Sequence, residues 1–162
     1  MPNVDKNQAI IDYFLTCEPI MNSTLYFNFA NIKDATKQFI TQSNDININR
    51  SFVDGTIQKR YSITIISFMS ISNNPIIKVS GYSNENISDM VEVQTLIDWI
   101  ATQNDEKHFP DFGENIVVEE IRTTTSNPRL DSIDASSVPA IARYSFTVQV
   151  DYIDYSHKIW NN

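Results

Sequence analysis

Glycine is nearly absent from this chain: Gly55, Gly81 and Gly113 are the three in 162 residues. A phosphate-cradling loop needs several glycines close together, so that backbone N–H groups reach the anion without a Cβ in the way. That spacing excludes one here. Histidine and cysteine are as scarce, with His108 and His157 far apart and Cys17 alone. A lone cysteine forms no internal disulfide, and the chain has no metal-ligand spacing motif. No apolar run approaches the ~20 residues of a membrane-spanning helix. The stretch Met1-Pro2-Asn3-Val4-Asp5 has neither the basic start nor the apolar core of a secretory signal, so a soluble protein made in a reducing cytoplasm is expected. Basic residues are also few, 12 Lys and Arg against 20 Asp and Glu, for a net charge of −8. This opposes a protein that grips nucleic acid by neutralising phosphates, though not a surface past which DNA slides.

What remains is a composition of 41% hydrophobic and 11% aromatic residues, which is globular, in a chain long enough to bury one core. Asp5 can cap a helix with apolar positions Ile10, Ile11, Phe14 and Leu15, ended by Pro19. Strands are predicted at 25–29 and near 36–41, paired as a hairpin. Residues 43–55, rich in Asn and Asp and closed by Asp54-Gly55, read as an exposed loop or arm. A long strand follows from Ile57 to about Ile71, with Ile57, Tyr61, Ile63 and Ile65 on one face and Gln58, Arg60, Ser62 and Thr64 on the other. At Ile66 and Phe68 the apolar phase shifts, which implies either a β-bulge or burial of both faces. Asn73-Asn74-Pro75 breaks the strand, and Ile76–Val79 adds a short extended piece. A second helix, capped by Asn84 or Asn86, carries Ile87, Met90, Val91, Leu96, Ile97, Ile100 and Ala101. Trp99, beside Leu96 and Ile100, is expected where this helix meets the sheet. Ile116–Thr125 is a strand and 126–138 a polar loop. The last strand alternates Ala142, Tyr144, Phe146, Val148, Val150 and Tyr152 inward against Arg143, Ser145, Thr147, Gln149 and Asp151 outward. The fold class is therefore α+β: a mostly antiparallel sheet of about five strands with two helices packed against it.

The residues that could carry chemistry are weakly placed for it. His108, near Asp105, Glu106, Asp111 and Glu114, follows a helix where charged residues form a solvated turn. Glu119 and Glu120 are adjacent, and adjacent strand residues face opposite ways, so they cannot share one substrate atom. Cys17 reads as a buried structural thiol. No catalytic, metal or cofactor residues are assigned. The thinly spread cations, Lys59-Arg60, Arg122, Arg129 and Arg143, read as solvated ion pairs or intersubunit contacts.

Several stretches together resemble a known family. They are Leu25-Tyr26-Phe27-Asn28-Phe29, Gly81-Tyr82-Ser83-Asn84-Glu85-Asn86, Ile97-Asp98-Trp99-Ile100, Phe109-Pro110-Asp111-Phe112-Gly113-Glu114, Arg122-Thr123-Thr124-Thr125 and Pro139-Ala140-Ile141-Ala142-Arg143-Tyr144. The family is a small virion protein of phages and prophages of Gram-positive bacteria, often labelled minor capsid protein. By size and element order the chain is similar to the tail terminator of long-tailed phages. The resemblance implies that residues 1–162 form one tail-terminator-like domain without enzymatic activity or cofactor. It implies a homo-oligomeric ring, expected to be a hexamer, on the head-proximal end of the tail tube, stopping tube polymerisation and presenting the docking surface for the neck. The implied partners are the tail tube protein and the connector, with genomic DNA passing through the lumen and no membrane. Arg60, Arg122, Arg143, Asp54 and Asn127 are the candidate interface residues. A head-completion or connector protein satisfies the same features. From other classes, a small-molecule or carbohydrate-binding module, or a hydrolase using Asp111, Glu114 or Glu119, stays open.

Overall fold

The computed structural model describes residues 5–21, 24–27, 38–70, 85–136 and 140–159. Asp5 holds extended geometry and its carboxylate accepts the Asn7 N–H at 2.9 Å, which starts helix α1 (Lys6–Phe14). Ile10 and Phe14, four residues apart, are its buried positions, while Leu15 lies in solvent. Pro19 does not end this helix, contrary to expectation. The helix closes at Phe14, and Pro19 falls in the first turn of the one-turn helix α2 (Glu18–Met21), where a missing N–H costs nothing.

Strand β1 (Thr24–Phe27) runs parallel to β2 (Gln38–Ser51), with Thr24 opposite Gln38 and Phe27 opposite Thr41. The expected hairpin between them is absent, because the two strands run parallel and a hairpin joins antiparallel neighbours. The arm expected at 43–55 is also corrected. Residues 43–51 belong to β2 and pair antiparallel with β3 (Ile57–Ser70), through register shifts at Ser43/Ile46 and Ile48/Arg50. Only 52–56 form the turn. There Gly55 takes φ +85°, the Gly55 N–H donates to the Phe52 carbonyl, and the Asp54 carboxylate accepts the Thr56 N–H at 3.0 Å.

β3 pairs along its whole length with β6 (Ile141–Asp154). The far side of β6 carries two strands end to end, β4 (Ile116–Thr123) against its C-terminal half and β5 (Arg129–Asp134) against its N-terminal half. Among the described residues the sheet thus has six strands, five abreast, in the order β1-β2-β3-β6-β4, and every pairing except β1 with β2 is antiparallel. The α+β class with a mostly antiparallel sheet is as expected. β5 replaces part of the loop expected at 126–138.

Helix α3 (Glu85–Glu106) lies chiefly over β4. Its buried stripe is Val93, Leu96, Ile97 and Ile100, narrower than expected, and Met90, Val91 and Ala101 face solvent. One cluster of buried side chains joins α1, α2, α3 and one face of the sheet, including Tyr61, Ile63 and Ile65 of β3, Ile121 of β4, and Tyr144, Phe146, Val148, Val150 and Tyr152 of β6. The phase shift in β3 is not a bulge. Its register with β6 is unbroken, and Ile66, Ser67 and Met69 are all buried, so both faces are covered at that end. Phe29, the extended piece at Ile76–Val79, its preceding break at Asn73-Asn74-Pro75, and the Asn84 cap lie outside the described residues; Asn86 falls inside the first turn of α3.

Replacement of Gly55 is acutely constrained. A Cβ there would collide with the His157 carbonyl oxygen, because the chain after β6 returns to this turn and donates the Ile159 N–H to the Asp54 carbonyl at 2.8 Å. Gly55→Ala is expected to lower stability by about 1–3 kcal/mol in urea unfolding, from the left-handed backbone and the displaced return segment together. An unchanged midpoint would show that the turn relaxes without cost.

Candidate assembly surfaces

The face of the sheet opposite the helices is polar. Alternation puts Gln58, Arg60, Ser62 and Thr64 of β3 beside Ser145, Thr147, Gln149 and Asp151 of β6 and Glu120 and Arg122 of β4. Register then aligns Arg60, Asp151 and Glu120 in one row across three strands. Arg60 grips Asp151 with two parallel bonds, Nε to Oδ1 at 2.6 Å and Nη2 to Oδ2 at 2.8 Å. Arg122 Nη1 reaches Glu120 and, at 3.4 Å, Asp151 Oδ2, while its Nη2 donates to Gln149 Oε1 at 3.1 Å. Asp151 is 8% exposed and joins both arginines. The hydrogen bonds Arg60 donates to Asp151 raise the Arg60 pKa above its ordinary value, against the opposing effect of desolvation.

Glu119 and Glu120 do not face opposite ways. A bulge between Val118 and Glu120 inserts an extra residue, so Glu119 accepts from Gln58 Nε2 at 2.9 Å on the same polar face where Glu120 meets Arg122. Their carboxylates still serve different partners.

At the end of the sheet near α1, Lys59 Nζ donates to Asp154 Oδ2 at 2.7 Å. Burial alone would raise the Asp154 pKa, but hydrogen bonds from Lys59 and from the Ser156 hydroxyl and N–H overcome it and hold the carboxyl at about 2. A depressed folded-state pKa means stability that is present above the unfolded value near 4 and lost as pH falls toward 2. Asp154→Asn is expected to remove at most about 2 kcal/mol at pH 7 and to make the melting temperature flatter between pH 4 and 2. Parallel wild-type and variant melting curves across that window would count against it.

The five candidate interface residues are not brought together. Arg60 and Arg122 are committed to carboxylates of their own chain. Asp54 sits in the β2–β3 turn, which exposes Phe52 and Val53, and Asn127 lies exposed in the 124–128 segment between β4 and β5. Arg143 is different: its side chain is 43% exposed, Nε is 3.9 Å from Asp131 Oδ2, and that nitrogen has no hydrogen bond. Neither the three-strand salt-bridge row nor β5 is visible to sequence reasoning. The row needs the strand register, and β5 hides because Leu130 and Ile133 are three residues apart, off the period of a strand.

His108 is exposed, with Nδ1 3.3 Å from Glu106 Oε2, and its carbonyl accepts from the Tyr13 hydroxyl at 3.0 Å. Asp111 caps the Gly113 N–H at 2.9 Å. Among the described residues no group of three or more His, Cys, Asp or Glu could hold a metal ion. Cys17 is buried, and burial, reinforced by Glu18 against an Ile20 hydrogen bond, pushes its thiol up to about 12. An open groove of about 500 Å³ runs between α1 and the 109–111 segment, lined by Asp5, Asp12, Tyr13 and Phe109 among others. No described helix is long and apolar enough to cross a membrane. No protein-family model matches the chain, and no curated protein sequence does.

Proposed function

We propose that the protein is a structural virion component without enzymatic activity, the tail terminator of a long-tailed phage. In this reading six copies form a ring on the head-proximal end of the tail tube, stop its polymerisation and dock the neck connector. The sequence resemblance to small phage neck proteins motivates it. The observation that carries it is the polar face of β3, β6 and β4, opposite the described helices, where Arg60 and Arg122 are tied to Asp151 and Glu120. That row holds its two arginines against carboxylates of the same chain, in a chain of net charge −8, and suits a conduit wall past which DNA slides. The β2–β3 turn with Asp54 and the 124–128 segment with Asn127 then face neighbouring copies.

The test is electron microscopy of particles made without the protein. Tails of irregular and excessive length are expected, and normal fixed-length tails joined to heads would overturn the reading. Normal tails that fail to join heads would move the protein to the connector. The groove beside Tyr13 and Phe109 favours a second reading, a small-molecule or carbohydrate-binding module, which requires a ligand-dependent rise in melting temperature.

Arg143→Ala separates interface from surface within the first reading. The charge contact of Arg143 with Asp131 is long and half exposed, so the isolated chain should lose at most about 1 kcal/mol. Ring formation or tail docking should fall, because a charge pair desolvated between subunits is worth more than an exposed one. Circular dichroism reads the first effect and negative-stain imaging the second; a variant that assembles normally returns Arg143 to the solvated surface.

A further inference from the structure

The sheet's lateral edges are unequally protected. β1 is four residues long, β2 beyond Thr41 is broken by two register shifts, and the Ile121 N–H of β4 is taken by Asn104 Oδ1 of α3 at 3.1 Å. Short edges, bulges and side-chain cover are the usual defences against strand pairing between molecules. β5 has less. No described strand pairs its far side, all six of its residues are exposed, and Leu130 and Ile133 are 48% and 54% exposed.

The register of β5 makes this edge self-complementary. Asp131 is an extra residue between Leu130, opposite Tyr144, and Ser132, opposite Arg143. Without that bulge Leu130 and Ile133 would point to opposite faces; with it, Ile133 lies opposite Ala142, and both apolar side chains stand on the helix side of the sheet. Arg129, Ser132 and Asp134 lie opposite Ser145, Arg143 and Ile141 and share the other face, and Asp131 joins them there through Arg129 at 3.5 Å. A two-fold axis normal to the sheet, between Asp131 and Ser132, keeps each residue on its face. It sets Arg129 against Asp134 of a second copy, Leu130 against Ile133, and Asp131 against Ser132. One pair joins opposite charges, one joins apolar side chains and the third sets a carboxylate against a hydroxyl, with both members of each pair on the same face.

The geometry points to a second copy of this chain as the occupant: two molecules join antiparallel through β5 into one continuous sheet, a contact of the isologous kind. This is independent of the tail-terminator reading. The pairing is small, two six-residue strands, so the dimer is weak and follows protein concentration. Where the protein also forms rings, the dimer is a state of the free protein that covers a reactive edge.

The experiment is sedimentation equilibrium of the full chain over a concentration series, with wild type, Ile133→Glu, Leu130→Lys and the double variant. Each single variant sets a charge against an apolar side chain in both symmetry-related pairs, and should weaken dimerisation by about tenfold or more. The double variant sets the introduced lysine of one copy against the introduced glutamate of the other across the two-fold, and should return most of that loss. Both side chains are exposed in the single chain, so the variants should fold, which circular dichroism checks. Independently of any variant, hydrogen exchange in wild type should show amides 129–134 gaining protection as concentration rises. Wild type that stays monomeric up to about 1 mM overturns the proposal. So does a double variant no better than the singles, which would place the contact in another register or on β2. Neither outcome touches tail length in particles lacking the protein, so the two readings fail separately.

Discussion

Phe146→Ala is expected to destabilise the protein by about 3–5 kcal/mol, the usual cost of truncating a large aromatic in a core. Phe146 is 4% exposed on β6, opposite Ile65 of β3 on one side and at the junction between β4 and β5 on the other, and belongs to the cluster with Ile63, Ile65, Leu96 and Ile100. The loss combines the apolar area returned to water with the void left between helix and sheet, which a close-packed core fills only in part. Thr147→Ala, one residue on and on the polar face, should change stability by less than about 1 kcal/mol, since its hydroxyl makes a long 3.4 Å contact with Thr64. Urea unfolding of the two variants is therefore a direct check on which face of β6 is inside. Equal midpoints would mean the assignment is reversed or the core is fluid there.

β6 can be read in the amino-acid sequence because it lies inside the sheet with one apolar and one polar face, so its side chains alternate without interruption over Ala142–Tyr152. β3 is legible for the same reason as far as Ile65. The elements that escape such a reading are those where backbone irregularity breaks the period of two. In β2 the two register shifts scatter Ile46 and Ile48 among polar residues, so a strand resembles a loop. In β5 the extra Asp131 separates Leu130 from Ile133 by three, and in β4 the bulge at Glu119 turns two adjacent glutamates to one face. Pairing direction leaves no local trace at all, which is why β1 and β2 read as a hairpin although they are parallel. The sequence places Trp99 between α3 and the sheet, yet its ring packs 5.1 Å from Tyr13 and 6.2 Å from Phe14 on α1. Only the three-dimensional order of the helices decides between those two apolar neighbours. For the polar face, outward placement of Arg60, Arg122 and Asp151 is legible, but their union depends on register between strands far apart in sequence.

That union predicts an asymmetric response to substitution at Asp151. Asp151→Ala is expected to cost about 3 kcal/mol, more than any exposed ion pair, because it strips the two-bond partner from Arg60 and the second carboxylate from Arg122. The value lies at the low end for a broken buried pair because the arginine side chains keep some contact with water, 29% exposed for Arg60 and 36% for Arg122. Arg60→Met alone should cost less, since Asp151 keeps Arg122 nearby. In the Asp151→Ala background, Arg60→Met should recover stability, because it removes the half-buried cation left without its partner and replaces it with apolar volume on the strand. A double-mutant cycle measures this directly through urea unfolding at low and high salt. Strictly additive costs would mean that the row is a solvated surface pair and that the polar face owes its neutrality to water rather than to Asp151. A non-additive cycle that survives about 0.5 M salt, where the screening length is only a few ångströms, would show the charges held against one another out of reach of counterions.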